Sequence, residues 1–327
     1  MLGGMRFKEE RMRTHTLRLA LLAALGLLAA PVFAEQPAPG PWQATADLGL
    51  NLNQSSYSNS WAGSEEGAIA WTALANLLAE RQFTPSINWR HTLKLSFGQI
   101  HREDRDQDDA DLDGDREESR WIAPEKSADR IFYESLLRLT LGGFVDPYVS
   151  FTFESQFFDG THPVVNRLFN PITLTESAGI GRTFIKDERT ELYSRLGAAV
   201  RQLLDRQVTP DELDLPEDDY STDLSTTVDG GAESVTDFKH TFSPSLNYTS
   251  KLRFFQAVFN SKADDLEGLP QEDYWKTPDA AWENTLSASV AKYVQVQLFF
   301  ELLYDKEIDL RGRYRETLGL GLTYKLF

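Results

Sequence analysis

The chain has 327 residues, with 50 acids against 33 bases, a formal charge of −17 and no cysteine. This balance argues against a nucleic-acid partner, because phosphate binding needs a basic surface. The missing cysteine excludes disulfides, thiolate metal sites and cysteine nucleophiles.

The first element is a processing segment. Met1–Thr16 carries Arg6, Lys8, Arg11 and Arg13, Leu17–Leu28 is almost continuously apolar, and Pro31-Val32-Phe33-Ala34 ends on a small residue. This order predicts a signal peptide over residues 1–34, cleaved before Glu35. The apolar run is too short for a spanning helix, which needs about 20 residues, and no cysteine is present to carry a lipid anchor. Residues 35–41 read as a short, Pro-rich periplasmic tail, and residues 42–327 as one domain.

From Trp42 onward the apolar residues recur at every second position, the period of a strand with two unlike faces. The first predicted strand is Trp42–Asn53, with Ala44, Ala46, Leu48, Leu50 and Leu52 on one face. Ala68–Glu80 and Ile87–Gln99 follow, joined by a turn containing Pro85. Arg130–Leu141 and Tyr148–Phe158 are joined by Gly142, Gly143, Asp146 and Pro147. The second half repeats the scheme with Ile172–Phe184, Leu192–Leu203, Ser234–Thr241, Ser245–Phe259, Trp282–Val290, Val294–Tyr304 and Arg313–Leu326. Ser234–Thr241 is short, and Glu176 falls in the outward phase of its strand.

Twelve segments near the length that crosses a bilayer, joined alternately by short and long connections, predict an all-β fold. It is a transmembrane antiparallel up-and-down barrel with short periplasmic turns and long outer loops. An even strand number puts both termini on one side. A soluble periplasmic β-sandwich also alternates, but has no reason to sort its loops into a long and a short side. Trp42, Tyr148 and Tyr293 at the turn side, and Trp61, Tyr304 and Tyr314 at the loop side, are read as interfacial girdles. The acid excess lies in Glu103–Glu118, Asp205–Asp229 and Ser261–Ala280, each taken as an outer loop. At the C-terminus Leu326 throws Phe327 out of phase with Tyr324, so either a bulge restores the register or Phe327 lies beyond the last pair.

Several short motifs carry a family resemblance. Leu52-Asn53-Gln54, Ser58-Asn59-Ser60-Trp61-Ala62-Gly63, Leu93–Gly98 and a strand-opening Asp129 occur in order, followed by Ser155-Gln156-Phe157, Asn166–Leu174 and Gly319–Lys325. Together they resemble an uncharacterised domain-of-unknown-function family of outer-membrane proteins, frequent in Bacteroidetes and marked by Gln followed by Asn-Trp-x-x-Gly-Gly. Here Ser60 separates Asn59 from Trp61, and Ser64 stands where the second Gly is expected. The resemblance implies an outer-membrane barrel and brings no reaction or substrate.

Three constellations are candidate sites. Asp109, Asp111, Asp113 and Asp115, with Gly114, place oxygens in a calcium-loop pattern. Arg120 stands where the bidentate Glu belongs, so this is a solvated acidic loop or a weak Ca²⁺ or Mg²⁺ site; no other cofactor is expected. Such cations would bridge the acidic loops to lipopolysaccharide phosphates. The second constellation is the inward phase: Arg90, Lys94, Arg130, Arg138, Arg195, Arg201, Lys251, Arg253, Arg313 and Arg315, facing Asp47, Glu134, Glu154, Asp237, Glu283 and Glu301. It makes either a narrow, slightly basic pore for small anions or an ion-pair network that fills a structural, surface-binding barrel. The third is an outer-membrane lipase- or protease-type site on a rim histidine, His101 near Asp104 or His162 near Asp159. No Gly-x-Ser-x-Gly or His-Glu-x-x-His accompanies them, and an enzyme is not the expectation. The expected partners are outer-membrane lipids, lipopolysaccharide and the barrel assembly machinery.

Overall fold

The structure is a computed structural model that describes residues 38–57, 66–104, 120–162, 165–210 and 220–325. Among these, twelve strands form one antiparallel sheet that closes on itself. They are β1 (Gln43–Ser55), β2 (Ala68–Thr84), β3 (Ile87–Asp104), β4 (Glu125–Leu139), β5 (Asp146–Ser155) and β6 (Ile172–Lys186). The other six are β7 (Thr190–Pro210), β8 (Tyr220–Ser243), β9 (Leu246–Asn260), β10 (Asp279–Ala291), β11 (Val294–Tyr304) and β12 (Arg313–Lys325). Each pairs with its neighbours in sequence, and β1 pairs with β12 from Asp47 against Lys325 to Asn51 against Gly321. Closure has a physical cause: an open edge in lipid would leave backbone N–H and C=O groups unsatisfied at several kcal/mol each. The membrane-spanning barrel expected from the alternation is the fold found.

The alternation sets which side chains face lipid. Leu48, Leu50 and Leu52 of β1 and Leu318, Leu320 and Leu322 of β12 all point outward and are exposed, as are Val149, Ile180, Leu196, Phe254 and Trp282 around the wall. Near the turns, Trp42 packs on Phe83 and Trp89 with ring centroids 5.6 and 6.5 Å away, one arc of the expected girdle. Tyr148 does not belong to it: it points into the barrel and is 2% exposed.

The connections sort by side. Residues 85–86, 140–145, 187–189, 244–245 and 292–293 make the short turns. In the 140–145 turn the Leu141 N–H donates to Asp146 at 3.0 Å, so Asp146 closes the turn from the first position of β5. On the other side, Asp205–Asp229 departs from the predicted loop. Much of it is strand, in a hairpin whose pairing runs from Thr190 against His240 to Pro210 against Tyr220. β6 supports β7 only as far as Leu204 and β9 supports β8 only from Asp229, so the tip of this hairpin rises above its neighbours. Ser234–Thr241 is accordingly the inner third of a 24-residue strand.

The loop between β5 and β6 is pinned to the wall. Asp129 accepts the N–H groups of Phe157 and Phe158 at 2.7 and 2.9 Å. Asn170 donates to Asp159 and Asp205 at 2.8 and 2.9 Å. Against the desolvation of its site, bonds from Asn170 and Thr161, together with the Arg167 guanidinium, hold the Asp159 carboxyl below the usual range. The predicted signal peptide, Asp109, Asp111, Asp113, Asp115, Trp61 and Phe327 lie outside the described residues.

Candidate functional site

The interior of the barrel is the site. Strand β4 sets it out: Arg130, Phe132, Glu134, Leu136 and Arg138 alternate with outward Ile131, Tyr133 and Leu137, so five successive inward positions mix charge with apolar bulk. A charge in this space must be paired, because unpaired desolvation costs several kcal/mol per ion.

The pairs form tiers. Toward the turns, Glu80 of β2 binds Arg90 at 2.9 Å and Arg138 at 2.8 Å, and Arg90 reaches Glu191 of β7 at 3.2 Å. Above them Glu134 of β4 takes Arg195 of β7 at 2.5 Å and Lys251 of β9 at 2.9 Å. The next tier crosses the barrel. Lys94 of β3 and Arg130 of β4 both bind Glu283 of β10, Lys94 at 2.8 Å. Arg253 of β9 binds Glu154 of β5 at 2.5 Å, and Arg315 binds Glu301 at 2.6 Å. At the outer end Arg201 holds Asp279 at 2.6 Å and Asp229 at 3.2 Å.

Phe132 sits between the tiers and is 0% exposed. Four cations lie near its ring: Lys94, Arg130, Lys251 and Arg253, at 5.4, 5.2, 5.2 and 5.9 Å from the centroid. The electron-rich face attracts them, and the surrounding glutamates offset their mutual repulsion. Leu136, Tyr148 and Tyr193 form an apolar cluster nearer the turns. Ala199, Phe255 and Ala257 form another toward the outer end, where Trp275 of the β9–β10 loop packs onto it. The sequence reading, guided by charge, passes over these aromatic residues. Their signal is phase: Phe132 and Leu136 alternate in step with Arg130 and Glu134.

The charge balance also differs from the expectation of a slightly basic lumen. Glu80 and Glu191 pair with bases inside the barrel, Glu233 lies 4.0 Å from Arg253, and Asp229 and Asp279 share Arg201. These acids match the bases. At the outer mouth Glu307 faces Asp229, Asp279 and Asp305. Desolvation in the mouth and the carboxylates, opposed by Arg201, push it up to about 7.

This filling is one-sided. Strands β4–β10 contribute most of the buried inward groups, among them Phe132, Glu134, Leu136, Tyr193, Arg195, Glu233 and Val235, with Asn88 of β3 and Glu301 of β11 beside them. The wall from β11 through β12 and β1 to β2 presents mostly small or polar residues, Gln295, Gln297, Thr317, Gly319, Gly321, Asp47, Gly49, Asn51 and Asn76, together with Leu74, Phe299 and the Arg315–Glu301 pair. Asn76, paired with Asp47 and Lys94 across its two neighbouring strands, is exposed although it points inward, and Thr317 is too. The Lys94–Glu283 bridge is a chord that separates this wall from the packed half.

The rim histidines find other uses. His101 lies against Trp121 with ring centroids 5.2 Å apart. The His162 Nδ1 accepts the Val165 N–H at 3.0 Å, while Asp159 is taken by Arg167, Asn170 and Thr161. His91, on the lipid side, bonds the Tyr133 hydroxyl at 2.9 Å. Among the described residues no group of three or more His, Asp or Glu side chains is arranged to hold a metal ion.

The chain matches no curated protein. Among solved structures it is similar to the COG4313 outer membrane channel from Pseudomonas putida F1, at 12% identity and a TM-score of 0.38, covering 91% of this chain and 98% of that one. It is also similar to the translocator domain of the autotransporter NalP from Neisseria meningitidis, at 7% identity and a TM-score of 0.37, covering 95% and 97%. The β domain of the Bordetella autotransporter BrkA follows at 12% identity and a TM-score of 0.31, covering 88% and 98%. Residues 52–160, from the end of β1 into the loop after β5, match a family described as protein of unknown function (DUF3078). The matched stretch is about a third of the chain and contains the first motifs of the resemblance through Ser155-Gln156-Phe157, so the family it matches is of the kind those motifs resemble: a domain of unknown function.

Proposed function

We propose that the protein is a narrow passive passage in the outer membrane of a Gram-negative bacterium, reached after removal of residues 1–34. The conducting path runs along the β11–β2 wall, beside the ion-pair network. The observation that carries this reading is Asn76: an inward residue of the spanning wall that solvent reaches, opposite a half-barrel that is packed shut. On the same wall Gly319 and Gly321 make room for the Asn51 side chain, since a Cβ on either would lie within 2.4 Å of it. The acids at the outer mouth favour small cations over anions, in place of the anion preference expected from the inward bases alone. The acidic loops, including Asp109, Asp111, Asp113 and Asp115, are proposed to hold Ca²⁺ or Mg²⁺ against lipopolysaccharide phosphates.

The test is single-channel recording of the refolded mature protein in a planar bilayer. Discrete small steps are expected, with a reversal potential shifted toward the cation under a KCl gradient. Asn76→Trp should abolish the steps while the barrel still resists unheated SDS. A silent but folded wild-type barrel, or steps unchanged by Asn76→Trp, would overturn the passage.

A further inference from the structure

The outward face of β6 and β7 carries a cation set among aromatic rings. Arg182 pairs in register with Ser194, whose strand neighbours Tyr193 and Arg195 point inward, so Arg182 points to lipid. Its guanidinium lies 4.0 Å from the ring centroid of Phe144 and 5.3 Å from that of Phe184. Phe144 belongs to the 140–145 turn, so the cation sits at the periplasmic end of the wall. Both rings are exposed. Lumen guanidiniums such as Arg90, Arg130, Arg195 and Arg253 each meet a carboxylate, but among the described residues none lies within ion-pair distance of Arg182.

The neighbouring row is hydroxylated. Ser194 is followed in register by Thr236 of β8, and their hydroxyl oxygens are 2.9 Å apart. One hydroxyl donates to the other, which leaves one O–H able to donate outward. Above this row Ile180 and Leu196, in register with each other, are exposed apolar side chains. From turn to mid-membrane the order is therefore aromatic rings, then one row that holds the cation and the hydroxyls side by side, then apolar surface.

We propose that Arg182, held between Phe144 and Phe184 and flanked by Ser194 and Thr236, is a binding site for the phosphate of a glycerophospholipid in the periplasmic leaflet. A guanidinium presents a planar fork of donors that fits a phosphate, and an interfacial site spares it a full desolvation cost. The acyl chains then lie on the apolar surface toward Ile180 and Leu196.

The experiment is native mass spectrometry of the refolded full barrel released from detergent in the presence of phosphatidylglycerol, with diacylglycerol as a control that lacks phosphate. Wild type should retain phosphatidylglycerol and not diacylglycerol. Arg182→Gln should lower the retained fraction about tenfold, the worth of one charge-assisted contact, and Arg182→Lys should recover part of it. Phe144→Ala keeps the charge and opens the sandwich, so a several-fold loss is expected there too, and this variant serves if Arg182→Gln does not fold. Equal retention by wild type and these variants would overturn the site. Retention of lipid A in preference to phosphatidylglycerol would overturn the assignment to the periplasmic leaflet.

Discussion

Glu134 shows how much a single interior side chain holds in place. It is 5% exposed and accepts both Arg195 and Lys251, so Glu134→Gln strands two buried cations that then repel each other. Removing one partner of a buried pair typically costs about 3–5 kcal/mol. A loss of that size is expected in denaturant titrations of the bilayer-inserted barrel. Glu307 makes the opposite case. Its carboxyl is raised from 4.5 to about 7, so the folded protein binds that proton more tightly than the unfolded chain does. Its ionisation thus opposes folding, and its contribution to stability declines as pH rises from about 4.5 through about 7. The same ionisation adds a negative charge to the mouth. Cation preference should therefore climb between about pH 6 and 8, and Glu307→Gln should flatten that step in reversal-potential measurements.

Among the elements, β6 and β7 are shaped by glycine. Gly179 and Gly197 are register partners, and a Cβ on Gly197 would lie 2.3 Å from the Ala178 carbonyl oxygen and 2.6 Å from the Tyr148 hydroxyl. The absent side chain lets the buried Tyr148 lie against the strand. Gly197→Ala should cost about 1–3 kcal/mol, as overpacking does, read as a lowered denaturation midpoint with unchanged strand content by circular dichroism. The twelve strands are legible in the sequence because lipid on one side and polar lumen on the other write a period of two. Where no lipid stands on either side, that code disappears. The tip of the β7–β8 hairpin, rich in Thr, Ser and Asp, therefore reads as loop while pairing as strand. Glu80, Glu191 and Glu233 lie at or just beyond predicted strand ends, the least legible positions. The lumen then reads as more basic than it is.

For the molecule as a whole, twelve strands enclose more space than side chains need fill, and this chain fills it unevenly. Charge alone could not foretell that, since an open and a filled barrel both need inward charge. Which inward residues are buried separates them: Phe132, Tyr148 and Tyr193 fill one side, whereas Asn76 and Thr317 stay exposed on the other. The cross-barrel bonds also join parts far apart in the chain: Lys94 and Glu283 are separated by 189 residues, Arg130 and Glu283 by 153, Lys251 and Glu134 by 117. Such contacts reward the chain only after long loops are closed. A barrel still short of its β1–β12 seam has nothing to hold these charges together, and they stay hydrated. The interior therefore dries last, so that the wall is built wet and the network sets inside it like mortar after the bricks are laid.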